Sequence, residues 1–291
     1  MCIMLTSHEP DTTKLIHLPV LLHIDGKDYD YNLCIYVNNL DIDNGMNRMM
    51  NFNSALMIVP FPKSNKPIAM MDISTKNMKR FRQDVVSLMP KPRSKGMYFN
   101  ALSDSLGCDK SLKVHEIGNY NISIAPNLKS LNNNVDWSKF TKPMDFNERV
   151  NTLRNKNLYP IECVYVVAQA VENVKDDGFG ILYENRGFDY FPTAHEGNGL
   201  VSYDVECYHF TNLKAHGKVP FSGHEIKSYV HDDTDNVKEI LSRLSTTVTL
   251  EDGSDAKLKK VCPKRVNMWK IEGQLNNRNM YLKNELKLTD I

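Results

Sequence analysis

Two β-rich runs, Leu15 to Ile24 and Asp30 to Val37, stand on either side of Asp25-Gly26. An Asp-Gly step suits a two-residue turn whose twist matches that of paired strands, so the spacing predicts a β-hairpin. The same grammar recurs along the chain. Ser111 to Ile117 and Tyr120 to Pro126 flank Gly118-Asn119 and predict a second hairpin. Ala55 to Phe61 is a continuous apolar run closed by Pro60 and Pro62, which suits a buried strand, with Ile68 to Ile73 as its neighbour. Ile161 to Val171 is the most hydrophobic stretch and reads as a central strand, although Ala168, Gln169 and Ala170 leave helix open. Phe179 to Tyr183, Tyr190 to His195, Tyr203 to Phe210 and Val266 to Ile271 read as further strands.

Helical spacing is rare. Met78, Phe81, Val85, Leu88 and Met89 mark one apolar face over 76–89, with Ser74 or Thr75 as cap and Pro90 and Pro92 as stops. Val237, Ile240, Leu241 and Leu244 do the same behind Asp233. Shorter helices are expected within 144–155 and 279–288, and Asn127 to Asp136 reads as a loop. Clustered strands with few, separate helices predict an α+β fold, mainly antiparallel β-sheet with a few peripheral helices. The expected division is an N-terminal β-rich part (1–126), an Asn-rich connection (127–158) and a C-terminal α+β part (159–291), which one domain also accommodates.

Composition narrows the function classes. At 41% hydrophobic and 24% charged residues, the 291-residue chain is neither disordered nor a long coiled coil. Its 36 basic and 35 acidic side chains lack the basic excess typical of a protein living on a phosphate backbone. The six cysteines contain no Cys-x-x-Cys pair, so no zinc ribbon is written, and free thiols in a reducing, cytoplasmic setting are expected. No run approaches the roughly 20 apolar residues that span a bilayer, so no membrane is expected among the partners. The first apolar stretch contains His17 and Pro19 and follows Glu9 and Asp11, which does not read as a signal peptide. Asn occurs 30 times, which predicts many turns. The same bias is what an A/T-rich genome writes, so a viral or phage source, in the host cytoplasm, is the expectation.

Familiar site motifs are missing. There is no Gly-x-x-x-x-Gly-Lys-Ser/Thr loop, no Gly-x-Ser-x-Gly elbow and no His-Glu-x-x-His, and Gly178-Phe179-Gly180 is a fragment of a dinucleotide fingerprint. Asp41 to Gly45 begins like a calcium loop, but its glycine is one place early and Phe52 stands where a Glu is required.

The richest segment is Phe188 to Phe210, with Asp189, Tyr190, His195, Glu196, Asp204, Glu206, Cys207, Tyr208 and His209. On a strand, residues i and i+2 share a face, so Cys207 and His209 point the same way. Together with His195 they are candidate ligands for a zinc-like metal. His195, His209 and Asp204 are the candidate catalytic residues, imidazoles with a carboxylate to orient them. The competing reading makes His195 a turn cap and His209 a hydrogen-bonded sheet residue. No cofactor is required by the sequence.

A second constellation is basic. Lys79, Arg80, Arg82, Lys91 and Arg93, followed by Met97-Tyr98-Phe99, combine cations with aromatics in the manner of a single-strand nucleic-acid binder. Lys259 and Lys260 in 257–270 extend the candidate nucleic-acid interface. A solvated basic helix face explains the same residues.

Three pieces taken in order carry a resemblance. Asn53 to Pro62 is an apolar run ending in Pro-x-Pro; Met71-Asp72-Ile73-Ser74 carries Asp-x-Ser before a helix; and Phe191-Pro192-Thr193-Ala194-His195 is followed by Tyr208-His209-Phe210. The set resembles a scattered group of uncharacterised proteins with Pro-x-Pro, Asp-x-Ser and Phe-Pro-Thr-x-His segments, to which no activity is attached. The resemblance implies particular weight for His195 and His209.

Three functions stand as expectations, and whether the chain is an enzyme is left open. The first is a non-catalytic interaction or assembly protein with a protein partner or self-association, the second a His/carboxylate or metal-dependent enzyme centred on 189–209. The third is a nucleic-acid binder using 76–95 and 257–270.

Overall fold

The first hairpin forms as its turn residues dictate. Asp25 and Gly26 both take positive φ, 48° and 78°, which a type I′ turn requires. The computed structural model describes residues 3–4, 11–40, 56–90, 112–143, 146–154, 162–171, 174–187, 189–194, 199–216, 227–260, 262–281 and 287–289. Strand β1 (Ile3–Met4) precedes the hairpin pair β2 (Asp11–Ile24) and β3 (Lys27–Leu40). The proline-closed run becomes β4 (Leu56–Pro62), followed by β5 (Ala69–Asp72). The Thr75 side chain accepts from the Met78 N–H and so caps α1 (Lys76–Ser87). The second expected hairpin is β6 (Val114–Ile117) and β7 (Tyr120–Ala125).

Residues 127–136 correct the expectation of a loop. Asn127 accepts from the Ser130 N–H and caps α2 (Leu128–Asn133), because burying Leu131 outweighs the poor helix propensity of Asn. Helix α3 (Phe146–Asn151) runs into a 3-10 turn at Thr152–Arg154. Then come β8 (Cys163–Ala170), buried along its whole length, β9 (Val174–Glu184), β10 (Tyr190–Phe191), β11 (Leu200–Thr211), β12 (Lys214–His216) and β13 (Lys227–His231). Asp233 caps α4 (Thr234–Ser242), after which β14 (Thr247–Leu250), β15 (Asp255–Lys260) and β16 (Arg265–Asn276) return to sheet. The helix expected over 279–288 is not found at its described residues. Met280–Tyr281 forms β17 against β10, and Lys287–Thr289 forms β18 against β12. A short polar segment has little helix stability of its own, so available strand partners win.

The fold is mainly antiparallel β with four short helices among the described residues. In the large sheet, ordered β13-β16-β11-β2-β15-β14-β5-β9-β3, strand β3 also pairs with β2 and closes a ring of six strands. The length of β2 makes this work. Its residues 20–23 pair with β15 inside the ring, while residues 13–17 pair in parallel with β11, which leads the extension β11-β16-β13 away from it. At Gly178 the ring tolerates no side chain: a Cβ there would lie 1.7 Å from the Tyr36 carbonyl oxygen.

Strand alternation sorts the core into layers. Leu18, Val20, Leu22, Leu33, Leu182 and Leu258 cluster on the inner side with Phe81 and Val85 of α1 and Ile240 and Leu241 of α4. Leu15, Cys34, Tyr36 and Ile181 face the other way, against Val59, Phe61, Ile122 and Val166 of the second sheet, β1-β4-β8-β7-β6. The far side of that sheet is covered by Leu131, Phe140 and Phe146. The candidate site lies on the outer face of β2, where ring and extension share that strand.

Candidate metal centre

The parallel register of β2 and β11 places His17 directly opposite His209. Both point to the face that carries Leu15 and Cys207, since residues two apart on a strand share a side. Their rings lie 5.4 Å apart between centroids, edge to face. Asp189, from the segment joining β9 to β10, comes down between them. Its Oδ2 is 2.9 Å from His209 Nε2 and its Oδ1 is 3.9 Å from His17 Nε2. One ligand atom from each of the three residues lies within 4.8 Å of the other two.

The surroundings of the two imidazoles are aromatic and buried. Phe191 lies 5.2 Å from the His17 ring, and Trp269 stacks on His209 at 5.9 Å. His17 and His209 are 0% and 1% exposed, whereas the Asp189 side chain is 24% exposed, so the carboxylate marks the side open to solvent. The Tyr183 hydroxyl is 2.9 Å from His17 Nε2 and donates to the Tyr190 carbonyl at 3.2 Å. Which of the two donates across the 2.9 Å contact is set by the His17 tautomer. The Nδ1 atoms of both imidazoles are buried and have no partner among the described residues.

The charges follow from the geometry. Burial lowers the pKa of His17 to about 4, against the pull of Asp189 and with the help of His209, so His17 is neutral at pH 7. Burial alone would raise Asp189, but the hydrogen bond from His209 and the proximity of both imidazoles hold it below the usual carboxylate range. A neutral imidazole beside an ionised carboxylate is the protonation state a divalent metal needs. Ligands at the roughly 2.0–2.2 Å of a zinc site are about 3–3.5 Å from one another, so an ion held by these three residues would draw the triangle inward. Two His and one carboxylate occupy three positions and leave the rest open. Without metal, the 2.9 Å contact would let Asp189 orient His209 for proton transfer.

The sequence-derived candidates fall unevenly around this centre. His209 is in it. Cys207 is on the same face but sealed in the core with Cys34, and burial pushes its thiol up to about 12, which keeps it protonated. Asp204 is exposed on the opposite face of β11, 3.6 Å from Lys270; five residues of alternation separate it from His209 and correct its assignment as the orienting carboxylate. His195 lies outside the described residues, as do Lys91 and Arg93. Of the other basic candidates, Lys79 and Arg80 are exposed on α1, and Lys259 is exposed but paired with Asp28 at 2.7 Å. Lys260 ends β15. Arg82 corrects its assignment to a nucleic-acid interface: it is 5% exposed and bound at 2.6 Å to Asp177, because α1 turns that face to the core.

Two members of the centre carry no site signature in the sequence. Asp189 stood in the rich segment without a role. His17 left one signal, a histidine in the middle of an apolar strand run, and nothing in that signal tells which distant residue it meets.

No family model, curated protein or solved structure matches this chain.

Proposed function

We propose that the protein binds a divalent transition-metal ion, zinc or iron(II), through His17, His209 and Asp189, and that it is a metal-dependent enzyme. The observation that carries this reading is the convergence of three donors from three distant chain segments, with ligand atoms within 4.8 Å of one another. Three protein ligands leave coordination positions for water or substrate, the arrangement of catalytic rather than structural sites. The Asp189 side provides the approach. On the same reading Phe191, 5.2 Å from the His17 ring, packs over the ligands, and Tyr208-His209-Phe210 supplies one of them. Free Cys34, Cys163, Cys207 and Cys262 accord with a reducing, cytoplasmic setting, and a viral or phage source remains part of the proposal on composition alone.

The interaction reading has less to draw on. Among the described residues the large exposed apolar side chains are Val171, Leu200 and Val230, which do not amount to a patch of several hundred Å². No described helix is long and apolar enough to cross a membrane.

The test is metal content. Protein purified without chelator is weighed by native mass spectrometry, alongside Asp189→Asn and His209→Ala. One ion per chain in the wild type and none in the variants is expected; equal occupancy in all three removes the proposal.

A further inference from the structure

On β16, Arg265, Asn267 and Trp269 alternate with Val266 and Met268, and the latter two belong to the inner core. Arg265 therefore shares the outer face with Trp269. The pairing of β11 with β16 sets Asn267 opposite His209 and Arg265 opposite Thr211. Arg265 is thus the diagonal neighbour of His209, about 7–8 Å away between Cα atoms.

Arg265 is 8% exposed, and its Nε and Nη1 are buried with no hydrogen-bond partner among the described residues. A guanidinium always carries its charge, and leaving its donors buried and unmet costs free energy comparable to several lost hydrogen bonds. The unmet groups are all donors, so what satisfies them is an acceptor. The planar fork of a guanidinium matches a carboxylate or phosphate with two parallel hydrogen bonds. The buried unmet donors and the candidate metal-ligand cluster thus lie at neighbouring positions on one sheet face.

From this placement we infer that Arg265 binds the anionic group of the substrate, a carboxylate or a phosphate, while another part of the same molecule reaches the metal held by His17, His209 and Asp189. The inference rests on the metal-centre reading given above. Arg265 is then a specificity-determining residue, and uncharged small molecules are poor substrates.

The experiment titrates inorganic phosphate and, separately, succinate into zinc-loaded wild type, Arg265→Gln and Arg265→Lys by calorimetry, with metal content measured on the same samples. The expected result is that all three retain one ion per chain and that Arg265→Gln binds the preferred anion about 10- to 100-fold more weakly. Arg265→Lys keeps the charge without the fork and falls between them. Stronger binding of phosphate assigns a phosphorylated substrate, and stronger binding of succinate a carboxylated one. Metal retained with no binding of either anion by the wild type, or with unchanged binding in Arg265→Gln, overturns the inference while leaving the metal centre standing. If Arg265→Gln fails to fold, unchanged binding in folded Arg265→Lys overturns it equally. Absence of metal from the wild type overturns the metal reading and this inference with it.

Discussion

His17 and His209 are direct partners in the parallel pairing of β2 and β11, the one parallel pair among the described strands. Neither imidazole has to reach for the other, since backbone register does the work. A one-residue slip between these strands would turn one of the rings to the inner side. If both rings serve one ion, their contributions to binding are not independent. His17→Ala and His209→Ala should each weaken zinc binding by more than about 100-fold, and the double variant should lose little beyond either single one. Competition against a chromophoric chelator measures all four proteins; additive losses would mean that the two rings act separately.

Tyr183 touches His17 but offers no metal ligand in this reading. Its hydroxyl sits between His17 Nε2 and the Tyr190 carbonyl, so it fixes how the imidazole is turned. Tyr183→Phe should retain the fold and lower stability by about 1 kcal/mol, with zinc affinity falling if the 2.9 Å contact orients the ring and rising if it competes for Nε2. Chelator competition and thermal melts separate the two effects, and unchanged affinity would reduce Tyr183 to packing.

The metal-free protein should lose stability on mild acidification. His17 has a folded pKa of about 4 and an ordinary value of 6.5. Between those values the unfolded chain binds the proton and the folded chain does not, so stability rises with pH across that window. Its contribution is complete above pH 6.5 and falls away toward pH 4, a change of about 3 kcal/mol. Asp189, whose folded pKa is depressed, contributes in the same direction but lower, its share being lost as the pH drops below the ordinary carboxylate value. Urea midpoints in the presence of chelator should slope downward from pH 6.5 to 4, and His17→Gln should flatten that slope; a flat wild-type profile would contradict a neutral, buried His17.

A second buried charge pair gives a control away from the site. Asp177 holds Arg82 at 2.6 Å, accepts from Asn119 at 2.7 Å and also accepts from the Gly178 N–H. Removing the carboxylate strands a buried guanidinium, so Asp177→Ala should cost about 3–5 kcal/mol. Metal affinity, measured on the folded fraction, should be unchanged, whereas a parallel loss of zinc would tie this bolt to the site.

Much of the fold was legible because its signals are local. Asp25-Gly26 and Gly118-Asn119 name their turns, Thr75 and Asp233 name their caps, and the run before Pro62 names a buried strand. Ring closure left no such mark. It depends on β3 meeting both β2 and β9, and on β14 (Thr-Val-Thr-Leu) and β15 (Asp-Ala-Lys-Leu-Lys-Lys), which alternate cleanly but are short and do not name their partners. The site was half legible for the same reason. His209 stood in a conspicuous segment, but its partners are set by a parallel pairing between residues far apart in sequence. Arg82 misled because a basic residue on a basic helix looks solvated until the helix is docked.

The central claim is one metal ion held by two imidazoles and a carboxylate, and cobalt(II) substitution tests it most directly. Cobalt-loaded wild type should show visible ligand-field bands at one equivalent, and these should be lost in His17→Ala, His209→Ala and Asp189→Asn, each shown to be folded. Bands that persist unchanged in all three folded variants, or a wild type that binds no cobalt at all, would contradict the account.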